Sequence, residues 1–314
     1  MALTIGVDVG GTKVAAGVVD EDGSIIARAR HQTPSDDPRK TEDVITAVVE
    51  ELRAQHPVEA VGLGAAGLVD AARATVIFAP NLAWRQEPLR AALERRLGLP
   101  VVVENDGNAA AWAETRFGAA RGERYVVMLT VGTGLGGGIV LDGELFRGRL
   151  GIAAELGHMT VAPGGRRCGC GNRGCWERYA SGRALLREAQ ELASISPAIA
   201  DGMLQLAGGR AEAITGLHVT QAAKDGDEAA LESFKVLGTW LGHGMASLAA
   251  VLDPGIFVIG GGVSDAGELL RGPAEARFLE RLTAKSYRAA PQVRLAALGA
   301  DAGIVGAADL ARRR

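Results

Sequence analysis

Residues 3–9 alternate apolar with polar or small positions and are rich in β-branched side chains, the pattern of a strand. Residues 13–19 repeat it, and residues 24–30 form a third strand after the turn Asp22-Gly23. The period then changes. Val44, Ile45, Val48, Val49 and Leu52 recur at helical spacing and predict a helix over 41–52. A short apolar strand over 60–64 follows, then a helix over 88–97 opened by Pro88, a buried strand over 101–104 and an Ala-rich helix over 108–117. Strands alternating with helices define an α/β domain.

The pattern loosens over 118–124 and begins again with strands over 125–131 and 138–141, the second leading into the turn Asp142-Gly143. Val-Asp-Val-Gly-Gly-Thr at 7–12 stands against Leu-Thr-Val-Gly-Thr-Gly at 129–134, and Gly17-Val18-Val19 against Gly138-Ile139-Val140 with a one-residue slip. Two strand–glycine turn–strand units, each opening a domain, suggest a duplication; chance likeness of two Gly-rich hairpins is the alternative. In a duplicated fold the two turns face each other across a cleft. Further on, apolar residues at 231, 234, 237, 241, 245, 248 and 252 predict a long helix over 229–252 that Pro254-Gly255 stops. The apolar strand 256–259 then delivers Gly260-Gly261-Gly262. Residues 194–220 carry no readable pattern, and Arg312-Arg313-Arg314 is expected to be a solvated helix tip favoured by the helix dipole.

With 314 residues the chain exceeds one ordinary core, so two domains are expected. No apolar run approaches the ~20 residues of a membrane helix, and the amino terminus lacks a basic segment followed by an apolar one. A net charge of −3 gives no electrostatic reason to bind nucleic acid. All three cysteines fall between 168 and 175, an odd and clustered set that suggests reduced thiols holding a metal, and hence the cytoplasm.

Asp8-Val9-Gly10-Gly11-Thr12-Lys13 lies between two strands, unlike a Walker loop, which opens a helix. Its glycines let backbone N–H groups converge on phosphate oxygens, Thr12 and Lys13 add donors, and Asp8 is placed to hold Mg²⁺. An ordinary hairpin turn is the bland reading. Thr130-Val131-Gly132-Thr133-Gly134 with Gly136-Gly137-Gly138 strengthens the phosphate reading, and Gly260-Gly261-Gly262 ends a strand where open α/β sheets bind ligands. Glu104-Asn105-Asp106 stands at a strand–helix junction. There Asp106 or Asn105 serves simply as the helix N-cap, or Asp106 accepts the proton of an attacking hydroxyl in phosphoryl transfer. Cys168, Cys170 and Cys175 with His158 make a closed, structural zinc set. Unligated buried cysteines are the alternative; a DNA-binding finger is not supported by the surroundings. Zinc there would fix two loops, each with a carboxylate, Glu155 and Glu177, suited to a polyol.

Together these motifs resemble the ROK family (repressors, open reading frames, kinases), and its bacterial glucokinases in particular, from about residue 4 to 309. The likeness is carried by Asp8 to Lys13, Gly64-Ala65-Ala66-Gly67-Leu68-Val69-Asp70, Asn81-Leu82-Ala83-Trp84 and Glu104-Asn105-Asp106-Gly107-Asn108-Ala109-Ala110. It continues in Gly132 to Gly138, Glu155-Leu156-Gly157-His158 and Cys168 to Glu177. The resemblance implies a two-lobed, actin-like ATPase (ribonuclease H-like) α/β fold with a duplicated core and an interlobe active-site cleft. One lobe would be 1–118 plus 300–314, with the first phosphate turn. The other would be 119–299, with the second turn, the zinc site and the adenosine-contacting glycines. It implies ATP, Mg²⁺ and structural Zn²⁺, with Asp106 as general base towards the sugar O6. Gly67, Asn81, Asn105, Glu155, His158 and Glu177 match sugar contacts. Thr12, Lys13, Thr133, Gly134 and Gly261 match phosphate or nucleotide contacts, and the reading of the turns themselves adds Asp8, Gly10, Gly11 and Gly262. Glucose is the expected acceptor. N-acetylglucosamine, N-acetylmannosamine, mannose or fructose as acceptor and polyphosphate as donor are the alternatives, and a homodimer or homotetramer is expected. Ala66 departs from the Pro that the family often has. A sugar-sensing repressor, the non-enzyme alternative, would carry a helix-turn-helix ahead of the first strand, for which a strand starting near Leu3 leaves no room.

Overall fold

The computed structural model describes residues 3–313. Contacts gather them into two compact units. One comprises the residues up to Met128, Gly137–Ala154 and those from Ala297 onward; the other comprises Leu129–Gly136 and Glu155–Ala296. The segments 119–128 and 137–154, expected in the second lobe, therefore group with the first.

The first unit begins as the pattern predicts: β1 (Thr4–Val9), β2 (Lys13–Val19), β3 (Ile25–Gln32), then α1 (Pro38–Arg53). Helix α1 starts a turn earlier than its apolar spacing indicates, because Asp37 caps it by accepting from the N–H groups of Arg39 and Lys40 and Pro38 suits its first turn. Strand β4 (Ala60–Ala65) leads into a small three-stranded sheet, β5 (Leu68–Val69), β6 (Val76–Phe78) and β7 (Arg85–Glu87). Then come α2 (Leu89–Leu97), β8 (Val101–Asn105) and α3 (Asp106–Arg116). The main sheet runs β3-β2-β1-β4-β8, with β1, β4 and β8 parallel. Its core joins Ile5, Val7, Val9, Val61, Leu63 and Val103 to Ile45, Val48 and Val49 of α1.

Past it lie β9 (Val126–Val131), β10 (Leu135–Leu141) and β11 (Glu144–Leu145). Then follow α4 (Gly182–Ile195), α5 (Asp201–Leu206), α6 (Gly216–Lys224) and α7 (Glu228–Leu252). The chain closes with β12 (Ile256–Gly260), α8 (Glu268–Arg281), β13 (Gln292–Leu295) and α9 (Ala302–Arg312). The second five-stranded sheet runs β11-β10-β9-β12-β13. Numbered by the chain order of each sheet's own strands, both sheets read third, second, first, fourth, fifth. That shared order is what a duplicated unit produces. Residues 194–220, unreadable as sequence, hold α5 and the start of α6; α8, with Pro273 inside it, carries no sequence expectation either.

Two glycines seat the carboxyl-terminal helix. Gly6 and Gly62 are paired across β1 and β4, and a Cβ on either would lie 1.8 Å from a carbonyl oxygen of α9, that of Ile304 or Ala307. Helix α9 thereby meets the sheet backbone to backbone and also packs on α3, where Trp112 donates to the buried Asp309 carboxylate at 2.8 Å. The expected solvated arginine tip needs correcting. Arg312 is largely buried and donates to the Thr4 hydroxyl, to the carbonyls of Val19 and Asp20, and to Asp309. Arg313 also pairs with Asp309, and Arg314 lies outside the described residues.

Candidate active site

In the first unit, register alone puts the chemistry at one edge of the sheet. Asp8 pairs with Gly64 and Gly64 with Glu104, so β1, β4 and β8 end together with β4 between the outer two. At the usual strand spacing Asp8 and Glu104 are roughly 10 Å apart at their Cα atoms. Asn105, Asp106, Gly67 and the first glycine turn all follow those carboxyl ends, where parallel sheets place their ligands.

The turn between β1 and β2 is closed by the Gly10 N–H donating to the Lys13 carbonyl at 3.0 Å, and the Thr33 hydroxyl ties down the Gly10 carbonyl. Thr12 is exposed at its tip. Gly11 lies against Asn81, 3.1 Å from where a Cβ would stand, so the turn and Asn81 are neighbours. Burial pushes the Asp8 carboxyl above its ordinary range, with Lys13 opposing. Among the described residues no hydrogen-bond donor reaches that carboxylate, so an oxygen-seeking cation such as Mg²⁺ fits there.

The N-cap question at the β8–α3 junction is resolved by geometry. Asn105 is the cap: its Oδ1 accepts from the Asn108 N–H at 3.0 Å and its Nδ2 donates to the Gly67 carbonyl at 3.1 Å. Asp106 is then the first helical residue, half-buried, with Oδ1 accepting from the Gly107 N–H at 2.9 Å. A carboxylate at a helix N-terminus, beside the end of β4, is held by backbone and not by a flexible loop.

The second unit is built differently. The turn between β9 and β10 is closed by Gly132 N–H to the Gly134 carbonyl, with Thr133 exposed at its tip. Gly261, at φ +84°, passes beneath Val131, where a Cβ would lie 2.6 Å from the Val131 carbonyl oxygen; Gly262 beside it is exposed. Side-chain ligand atoms of His158, Cys168, Cys170 and Cys175 all lie within 4.8 Å of one another. Nδ1 of His158 is 3.7 Å from the Cys168 sulfur, and the Cys170 and Cys175 sulfurs are 3.5 Å apart. Tetrahedral zinc with ordinary bond lengths requires edges of about 3.6 Å for N to S and about 3.8 Å for S to S, so the four groups fit it. Burial pushes the Cys168 thiol up to about 12 and also raises Cys175, which a bound dication would reverse.

The remaining imidazole nitrogen, Nε2, faces Glu155 at 4.0 Å, and Glu177 approaches the Cys168 sulfur at 3.0 Å. Protein atoms around the Glu155 carboxyl raise its pKa although part of it meets solvent; His158 opposes the rise and Glu177 adds to it. Glu177 also lies against the second glycine turn, 3.0 Å from where a Gly134 Cβ would stand. Trp176, fully buried and donating to the Trp240 carbonyl at 2.8 Å, anchors this loop to α7. The sequence signals neither this anchor nor the pairing of Glu104 with Arg73 and Arg147. A fully buried acid next to a candidate base is the one clue that could have been followed.

An α/β chain with two five-stranded sheets of this strand order, two glycine turns and a Cys₃His loop has the actin-like ATPase fold of the ROK sugar kinases. The ROK family model matches residues 4–314, and the chain belongs to that family. The chain is 50% identical to a glucokinase of Streptomyces coelicolor over 312 residues, covering 99% of this chain and 98% of that protein. It is 38% identical to a glucokinase of Thermotoga maritima, over 99% and 97%. A ROK family glucokinase from Streptomyces griseus, solved with glucose and AMPPNP, superimposes over the whole of both chains with a TM-score of 0.91 at 53% identity.

Proposed function

We propose that this protein is an ATP-dependent glucokinase that moves the γ-phosphoryl group of ATP to the 6-hydroxyl of glucose. The observation that carries this is similarity to glucokinases over the full length of the chain, including one crystallised with glucose and an ATP analogue. In the proposed mechanism the Asp106 carboxylate accepts the proton of the sugar O6 as that oxygen attacks the γ-phosphorus in line and ADP leaves. Phosphoryl transfer asks mainly for positioning and charge stabilisation, and a first-turn carboxylate held by the Asn105 cap supplies the positioned base. Gly67, Asn81, Asn105, Glu155, His158 and Glu177 are the remaining proposed sugar contacts. Gly10 closes the first turn, and the backbone N–H groups of Gly11 and Gly134 with the side chains of Thr12, Lys13 and Thr133 orient the phosphates. Gly261 and Gly262 offer the adenosine a surface without side chains. Mg²⁺ held at Asp8 would neutralise charge on the transferring phosphoryl oxygens.

Zinc at His158, Cys168, Cys170 and Cys175 would be structural. It would fix the loops that bear Glu155 and Glu177 and leave His158 Nε2 free to face the sugar. A cytoplasmic homodimer or homotetramer is part of the same proposal, supported by the reduced thiols and by family likeness. No helix among the described residues is long and apolar enough to cross a membrane.

The test is a coupled assay of purified protein against a panel of glucose, mannose, fructose, N-acetylglucosamine and N-acetylmannosamine, with ATP and polyphosphate as donors. Glucose with ATP should give the highest kcat/KM. A preference for an N-acetylated sugar or for polyphosphate would overturn the assignment.

A further inference from the structure

The side chain of Glu104 is 1% exposed, yet it is charged and stands two residues before Asp106. Its two oxygens do different work. Oε1 accepts from the Asn105 N–H at 3.0 Å and from Asn108 Nδ2 at 3.1 Å, gripping both ends of the first turn of α3. Oε2 lies 2.8 Å from Nε of Arg147 and 3.0 Å from Nε of Arg73. Neither Oε2 nor Arg147 Nε has hydrogen-bonding geometry, so this attraction is between charges and not through a directed bond. Arg147, only 11% exposed, spreads its other nitrogens onto the carbonyls of Asp70 at 2.8 Å and Ala71 at 3.0 Å. The 67–71 segment it holds is the one whose Gly67 carbonyl accepts from Asn105. Gly151 closes the same contact, since a Cβ there would lie 2.5 Å from the Asp70 backbone.

We infer that Glu104 and Arg147 form a buried charge clamp that positions the Asp106 carboxylate by tying the start of α3 to the 67–71 segment. The inference rests on Asp106 being the base. A buried ion pair is a poor way to gain stability, because taking two charges out of water offsets most of their attraction, and an apolar pair of similar volume commonly does as well. What the pair supplies is direction: it ties three chain segments, 70–73, 104–108 and 147–151, to a single carboxylate. Displacing a catalytic group by an ångström costs on the order of 10²-fold in rate. The clamp therefore serves turnover more than folding.

The experiment compares wild type with Glu104→Gln, Arg147→Met and the double variant, measuring melting temperature, calorimetric glucose affinity and kcat per glucose-binding site. Glu104→Gln keeps Oε1 as an acceptor but replaces Oε2 by an amide NH2, which removes the charge and sets a donor against the two guanidinium groups. Its kcat is expected to fall ~10²-fold, with glucose affinity changed by less than about threefold. In the double variant the most deeply buried charges are gone and only Arg73, 28% exposed, is left without its carboxylate, so melting should return part of the way towards wild type while kcat stays low. Recovery of kcat together with stability would overturn the clamp, as would a wild-type kcat in Glu104→Gln. Should these variants fail to fold, Arg147→Lys decides. It keeps a cation near Oε2 but loses the forked grip on residues 70 and 71, so a reduced kcat supports the clamp and a wild-type kcat overturns it. Asp106→Asn is run alongside. If it retains turnover, the base assignment has failed; if it is inactive while Glu104→Gln turns over normally, only the clamp has.

Discussion

Two regions of this protein hold candidate sugar ligands, and they do so by opposite means. At the β8–α3 junction the framework is regular: a parallel strand, a capped helix start and a buried carboxylate shared between backbone and guanidinium groups. In the 155–177 region there is almost no regular structure. Short helical turns and isolated bridges such as Thr160 to Cys175 are held by a Cys₃His cluster and by one buried tryptophan. The first arrangement draws its rigidity from a sheet that exists for other reasons. The second has little regular structure, and the proposed zinc would give it a local cross-link, the usual role of a structural site in small loops. Rigidity that a fold lacks locally can thus be supplied by a metal, at the cost of sensitivity to chelators and thiol oxidation.

The sharpest way to break this comparison lies in the first region. Asp106→Asn should lower kcat by about 10²–10⁴-fold while calorimetry shows glucose still binding. Near-normal turnover would remove Asp106 from the mechanism. Next comes the metal: a chelator or Cys175→Ala should cost ~10-fold or more in glucose affinity. Amide-exchange protection should be lost over 156–177 and unchanged over 101–116. Equal loss in both regions would mean that the cluster supports the whole protein and not one region.

A smaller effect is expected from Gly62→Ala, which forces a Cβ onto the Ala307 carbonyl. It should destabilise by about 1–3 kcal/mol, read in denaturant titration, and leave zinc content unchanged. The smallest concerns Asp8. Because burial holds its folded pKa above the unfolded value, its ionisation opposes folding as pH rises from the unfolded pKa through the folded one. Asp8→Asn should therefore melt slightly higher than wild type at neutral pH without Mg²⁺, and show a raised KM for MgATP. A lower melting point would mean that the carboxylate has a stabilising partner.

Much of the site was legible because its signals are short-range. Both glycine turns, the three cysteines at 168–175 and the strand before Asp106 each occupy fewer than a dozen consecutive residues, and His158 stands ten residues before the first cysteine. The duplication was visible at 7–12 and 129–134 and reappears as two sheets with one strand order. The failures have a common cause. Helices α5 and α6 are short; Gly202 falls inside α5, and Gly208, Gly209 and Gly226 follow the two helices closely, so neither shows a readable period. Arg312 reads as surface charge because its partners, Thr4 and the carbonyls of Val19 and Asp20, are some three hundred residues away along the chain.

The chain's own sequence determined where the strands and helices of the first sheet form, that a strand–glycine turn–strand unit occurs twice, and that four soft or nitrogen ligands lie close along the chain. Those properties depend on neighbours a few residues apart, through backbone propensity and side-chain period. Tertiary structure decided which of two adjacent residues caps α3, so that Asn105 took the cap and Asp106 the first helical position. It also decided that Glu104 is a buried hub and that Gly6 and Gly62 seat a helix from the far end of the chain. These outcomes hang on partners brought close by packing, and no local pattern names them.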